Sequence, residues 1–246
     1  MRTQTIAVGV LAIAVSLLAA EEAAHWSYKG QTGPAHWGDL DKEDAPCKLG
    51  KEQSPIDIVG AQKADLEPIV FQYTASPSDI VNNGHTVQIN VANGGSIRVG
   101  AAEYKLVQFH FHTPSEEKIN GKAHAMVAHL VHKNSDGNLA VVAVEIDRGK
   151  ESAALKPVFD AMPAKLGETR PLSGGFNLTS ILPVRRGYYT FMGSLTTPPC
   201  SEGVRWYVLK DSVEISADQL AVFSKLYPMN ARPVQPLNGR PLQETR

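Results

Sequence analysis

Alternating apolar and polar positions set in at residue 69 and recur to residue 210. Runs at Ile69–Tyr73, His85–Val91, Ser96–Val99, Glu103–His112, Ala125–His132, Leu139–Ile146, Tyr188–Met192 and Val204–Lys210 are short and rich in β-branched and aromatic residues, and they predict strands. Ala92-Asn93-Gly94-Gly95, between Val91 and Ser96, predicts a hairpin turn. Helical spacing is confined to Glu151–Met162, stopped by Pro163, and to a segment opened by Ser216-Ala217-Asp218-Gln219. That tetrapeptide has capping-box form, ahead of Leu220, Phe223 and Tyr227 on one face. His25–Pro55 has no clear period and predicts an irregular arm, and the tail from Pro228, with four prolines, predicts extended chain. The fold class expected is mainly β (α+β), a single domain. Its large, twisted central sheet should be mostly antiparallel, with a few peripheral helices, because most connections are too short for a crossover helix.

Parity along the strands places the chemistry. In Glu103–His112, Leu106, Gln108, His110 and His112 fall on one face, lining a cavity, and Val107, Phe109 and Phe111 on the other, toward the core. In Ala125–His132, Val127, His129 and Val131 share a face, and Met126, Ala128, Leu130 and His132 take the opposite one. His110, His112 and, from the next strand, His129 thus form a candidate trigonal ligand set whose fourth position is open, the arrangement of a catalytic zinc. His25, His36, His124 and His132 read as hydrogen-bonded or surface histidines.

Composition narrows the partners. The 246 residues suffice for one domain with a deep core. With 24 basic and 25 acidic side chains the net charge is −1, which argues against nucleic acid or an anionic membrane and favours a small or neutral substrate. Arg2, the apolar run Ile6–Ala20 and then Glu21 and Glu22 read as a secretory signal peptide over residues 1–20, cleaved within 19–24; the domain is 21–246. Export implies a periplasmic or secreted protein, off the membrane once cleaved, in which the only two cysteines, Cys47 and Cys200, pair in a disulfide.

Several motifs then occur in one order: Gln108-Phe109-His110-Phe111-His112, Ser115-Glu116, Ala128-His129-Leu130-Val131-His132 and Gly193-Ser194-Leu195-Thr196-Thr197-Pro198-Pro199. Around them stand His25-Trp26-Ser27-Tyr28, Gly33-Pro34-Ala35-His36-Trp37, Gln53-Ser54-Pro55-Ile56-Asp57, Asn82-Asn83-Gly84-His85 and Arg232-Pro233-Val234-Gln235-Pro236. Together they resemble an exported, bacterial-type α-class carbonic anhydrase over essentially the whole mature chain.

The resemblance implies reversible hydration of carbon dioxide by a zinc-bound hydroxide, the three histidines being the ligands; in carbonic anhydrases such a zinc-bound water ionises near pH 7. By resemblance Glu116 and Thr196 orient the hydroxide, and Thr197 borders the bicarbonate site. Val131, Val141, Leu195, Val204 and Trp206 wall the carbon dioxide pocket. His85 shuttles the proton, with Tyr28, Asn83 and Gln88 holding connecting waters, and a pKa near 6.5 suits it to that task. Gln108 should serve His110, and a carbonyl near Asn230 should serve His112.

Three positions depart from the pattern. Val127 replaces a glutamate that serves the third ligand, so His129 must use a carbonyl, a water or another side chain; Glu117 stands where His or Asn is common; and Phe191 replaces a tyrosine. The rival reading is a catalytically silent, zinc-binding module of the same fold. Side esterase activity is compatible with the zinc chemistry, although neither a Gly-X-Ser-X-Gly elbow nor a His-Glu-X-X-His motif is present. A homodimer is compatible with the resemblance.

Overall fold

A computed structural model describes residues 25–246. The expected signal peptide lies outside the described residues. Sixteen strands follow in chain order. The first nine are β1 (Asp57–Ile58), β2 (Gln62–Ala64), β3 (Ile69–Tyr73), β4 (Ser76–Asn82), β5 (Val87–Val91), β6 (Gly95–Val99), β7 (Ala102–His112), β8 (Lys118–Ile119) and β9 (Lys122–Ala123). The rest are β10 (Met126–Lys133), β11 (Leu139–Arg148), β12 (Thr169–Phe176), β13 (Tyr188–Ser194), β14 (Glu202–Leu209), β15 (Val213–Ile215) and β16 (Gln243–Thr245). The α-helices among the described residues are α1 (Pro46–Leu49), α2 (Lys156–Ala161) and α3 (Ala217–Leu226).

Thirteen strands form one twisted sheet, in the order β12-β4-β5-β7-β10-β11-β14-β13-β16-β2, with β3, β6 and β15 attached at its sides. Most neighbours are antiparallel, as expected. The central pair β11 and β14 is parallel, because the chain between them is long enough to hold α2, β12 and β13 before it returns.

Four local expectations need correction. The strand expected from His85 begins at Val87: Asn83 Oδ1 accepts the N–H groups of His85 and Thr86, and Gly84 takes a φ of 91°, so His85 sits in a tight turn. The run Ala92–Gly95 is not a hairpin. β5 pairs with Gln108–His110 and β6 with Ala102–Lys105, so both lie along the same strand, β7, and the run is a kink between them. The helix expected over Glu151–Met162 is only Lys156–Ala161, since Pro157, lacking an N–H, belongs in a first turn. Finally, β4 and β12 escape the alternation pattern because Pro77, Pro171 and several polar residues interrupt them; the Pro171 strand sits at the sheet edge, where a missing donor costs least.

A bulge between Gln108 and Leu106 also changes parity. Val131 pairs with Gln108, but the next residue, His132, pairs with Leu106, leaving Val107 as the extra residue. Leu106 therefore turns into the core and Val107 is 45% exposed, the reverse of simple alternation. Beyond the bulge, parity holds: Phe109 and Phe111 are fully buried in the main core.

The capping box of α3 forms as its sequence predicts: Ser216 Oγ accepts the Gln219 N–H, and Gln219 Oε1 accepts the Ser216 N–H. The tail from Pro228 runs extended except for a turn at Asn238-Gly239, where both residues take positive φ, and ends as β16, paired with β13 and β2. Cys47 and Cys200 are disulfide-bonded across 153 residues, joining the N-terminal arm to the loop between β13 and β14. Closing so long a loop contributes about 2–5 kcal/mol to stability.

Candidate active site

Register across the sheet brings the expected residues into rows. His110 on β7 stands beside His129 on β10 and Gln88 on β5, and His112 stands beside Val127. The adjacent row runs Gln108, Val131, Val141, Trp206, Phe191 from β7 to β13. The three imidazoles converge, with ring centroids 4.8 to 5.5 Å apart and one donor atom from each within 4.8 Å of the others. His112 and His129 are buried, and His110 is partly so.

Each ring has one nitrogen engaged outside the cluster. His110 Nδ1 lies 2.9 Å from Gln108 Oε1, His112 Nδ1 lies 2.7 Å from the Asn230 carbonyl oxygen, and His129 Nε2 lies 3.1 Å from Glu117 Oε2. All three partners accept, so these nitrogens carry the protons and His110 Nε2, His112 Nε2 and His129 Nδ1 are left with lone pairs facing one another. His112 Nε2 is buried without any hydrogen-bond partner. A buried nitrogen in that state is costly unless a ligand takes it, and three neutral imidazoles suit zinc. Burial, reinforced by the neighbouring His129, lowers the pKa of His110 to about 3 and drives that of His112 well down, which keeps both neutral. Burial would lower His129 too, but the charge and hydrogen bond of Glu117, with Glu116, raise it.

Glu116 adjoins the cluster, its Oε2 3.5 Å from His112 Nε2 and 3.8 Å from His129 Nδ1. Its Oε1 accepts the backbone N–H of Arg232 at 2.7 Å. Burial pushes this carboxyl up to about 7, with Glu117 adding to the rise and His129, the Arg232 N–H and the Thr196 hydroxyl pulling it back. Thr196 thus stands beside Glu116, although Glu116 Oε2 makes no hydrogen bond of good geometry.

The histidines form the floor of a cavity of about 220 Å³. Val131, Val141, Leu195 and Trp206 give it an apolar wall, and Tyr28, Asn83, His85, Gln88, Gln108, Thr196 and Thr197 line it too. Val204, expected on that wall, is not among the lining residues; it packs in the apolar cluster with Val131, Val141 and Trp206.

The loop carrying Thr196 and Thr197 is tied down at many points. Ser54 and Ser194 exchange hydrogen bonds between backbone N–H and hydroxyl, and Trp206 Nε1 donates to the Ser194 carbonyl. Gln53 Nε2 donates to the Cys200 carbonyl, while Arg232 donates from one nitrogen to Gln53 Oε1 and the Ser54 carbonyl and from another to the Cys47 carbonyl. Gly193 is required beneath it, since a Cβ there would strike Ser54 Oγ and the Trp206 ring. Residues 32–246 match the family model for eukaryotic-type carbonic anhydrase.

The chain belongs to the α-carbonic anhydrase family. A carbonic anhydrase of Pectobacterium carotovorum is 41% identical over 238 residues, covering 94% of this chain and 98% of that protein. One from Klebsiella pneumoniae is 44% identical over 221 residues, covering 89% and 90%. The α-carbonic anhydrase of Thermovibrio ammonificans, solved in complex with the inhibitor sulfanilamide, matches with a TM-score of 0.87 at 46% identity, over 90% of this chain and 99% of that one.

Within this carbonic anhydrase the outlying motifs are chiefly scaffold. Gln53-Ser54 and Arg232 brace the threonine loop and Glu116, and the Asn230 side chain donates to the carbonyls of His85 and Phe111 and accepts the Thr113 N–H. The other histidines lie apart from the three-histidine cluster: His132 Nε2 lies 2.8 Å from Tyr73 Oη in the core, and His124 pairs with Asp147. Phe191 fills the tyrosine position with its ring stacked on Trp206 at 6.0 Å.

Three contributors were not legible beforehand. Trp26 lines the cavity and stacks on His85 at 3.5 Å, Arg232 reaches Glu116 through its backbone N–H, and Glu117 contacts His129. Trp26 and Arg232 lie inside motifs quoted above, but nothing in their spacing from the histidines reveals these contacts.

Proposed function

We propose that this carbonic anhydrase interconverts carbon dioxide and bicarbonate with a zinc ion held by His110, His112 and His129. The observation that carries the reading is the set of three ring nitrogens freed toward one point while their opposite nitrogens are engaged by acceptors. When bound, zinc supplies a Lewis acid and a water that ionises near neutral pH. Carbon dioxide is apolar, and Val131, Val141, Leu195 and Trp206 offer it a dry wall beside the histidines. An ionised Glu116 only accepts hydrogen bonds, so the Thr196 hydroxyl must donate to it and turn its oxygen to the nucleophile as an acceptor; Thr197 borders the departing bicarbonate. An exported location, in the periplasm or outside the cell, accords with the Cys47–Cys200 disulfide and with the leader-like residues 1–20.

The test is stopped-flow hydration by the mature protein before and after chelation. Activity should vanish with the metal and return with added zinc. Unchanged activity in metal-free protein rejects the reading.

His85 is the proposed proton relay, with Tyr28, Asn83 and Gln88 beside its path to the histidines. Stacked on Trp26, it has its pKa lowered to about 4 by burial and by His25, whose ring lies 4.8 Å away. Transfer to it from a water of pKa about 7 is then roughly a thousandfold uphill. A working relay must swing off Trp26 into the wet cavity, where its ordinary value returns. His85→Ala should lower kcat in weak buffer by about tenfold or more, with added imidazole restoring it and kcat/KM little changed. An unaltered kcat in weak buffer would make His85 a stacking residue only.

A further inference from the structure

The carboxylate that meets His129 comes from an unexpected place. In this sheet the residue two before His129 on its own strand and face is Val127, which is fully buried and has no acceptor to offer. Glu117, from the segment between β7 and β8, reaches His129 Nε2 instead, at 3.1 Å, and its side chain is wholly buried. An imidazole that binds metal through one nitrogen needs its other N–H held, because that bond fixes the tautomer and the ring plane. We infer that Glu117 is the positioning residue for the third ligand, replacing a carboxylate on the ligand's own strand with one mounted on a neighbouring segment.

The mounting is rigid enough for the task. Ser115 Oγ donates to the Glu117 carbonyl and itself accepts the His124 N–H, both at 2.8 Å. Lys118 N–H donates to the Ile56 carbonyl, where β8 pairs with β1. The backbone on both sides of Glu117 is therefore braced, and the carboxylate arrives at His129 from a fixed base.

A second buried carboxyl accompanies it. Glu145 on β11 stands directly opposite Val127 in the register, and both of its oxygens are buried without partners, as is Glu117 Oε1. Burial, and then Glu117, drive the Glu145 carboxyl well up, and of the two only Glu117 reaches the ligand histidine.

The inference rests on the zinc assignment above, and its test separates the two. Zinc affinity of the mature protein is measured by competition with pyridine-2,6-dicarboxylate for wild type, Glu117→Gln and Glu117→Val. The absorption spectrum of each cobalt(II)-substituted protein and the thermal unfolding of each metal-free protein are recorded alongside. Glu117→Gln keeps the shape and an acceptor oxygen but not the charge, and Glu117→Val keeps neither. Zinc affinity should fall by about 10–100-fold, further in Val than in Gln, with altered cobalt bands. The metal-free Glu117→Gln protein should still unfold in one cooperative transition, so that its loss of zinc affinity is not a loss of the fold. Affinities within twofold of wild type and unchanged cobalt bands would reduce Glu117 to a packed polar residue. If Glu117→Val does not fold, Glu117→Gln alone decides. A wild-type protein that binds no zinc would instead overturn the zinc assignment itself.

Discussion

His112→Ala should leave a folded protein without zinc and without measurable hydration, the rate falling by about a thousandfold or more. His112 Nε2 is buried with no hydrogen-bond partner, and without it only two imidazoles of the three-histidine set remain for zinc. In the proposed zinc mechanism the nucleophile is a water whose pKa falls from 15.7 to about 7, so losing the ion removes it at neutral pH. The surrounding strands should survive, because His112 lies at the end of β7, while Phe109 and Phe111 carry its packing. Metal analysis, circular dichroism and stopped-flow hydration on the same sample check this. A variant with full activity, or with stoichiometric zinc, would end the ligand assignment.

Thr196→Ala is expected to lower kcat/KM by about a hundredfold while zinc content stays at wild-type level. One positioned hydrogen-bonding group in a water-excluded site is worth roughly that much. The loop should not move on truncation, since the Ser54–Ser194 pair, the Leu195 to Ser201 and Cys200 to Thr197 backbone hydrogen bonds and the disulfide all hold it without the hydroxyl. What disappears is the Thr196 hydroxyl beside Glu116, which in the proposed mechanism turns a carboxylate's demand for a donor into a directed acceptor. Thr196→Ser should recover most of the rate. If the alanine variant stays within twofold of wild type, orientation by the Glu116–Thr196 pair is not part of this enzyme's chemistry.

The readings of β7 and His85 mark where sequence reasoning holds. From Gln108 to His112 strict alternation separates the cavity-facing histidines from the core phenylalanines correctly, because that stretch pairs without interruption to β10, and as far as His110 to β5. At Val107 the same rule fails, since a bulge is a property of two paired strands and leaves no mark on one of them alone. Asn83-Gly84 signals a turn at His85, yet nothing local says that the imidazole lies flat on Trp26, 59 residues earlier in the chain. Likewise, Ala92–Gly95 has the composition of a hairpin, but β7 is long enough to pair with the chain on both sides of it, and that long-range pairing overrides the turn.

By itself the sequence determined the mainly β architecture, the capping box of α3, the pairing of two cysteines and the three histidines of one face, because each follows from short-range periodicity, local hydrogen bonding or simple number. Tertiary structure alone decided that Glu117 answers for Val127, that Arg232 holds Glu116 and that Val204 lies off the cavity wall. The first two relations join residues 12 and 116 positions apart, and a side chain's reach across packed segments depends on where the backbone brings them, which no local pattern encodes.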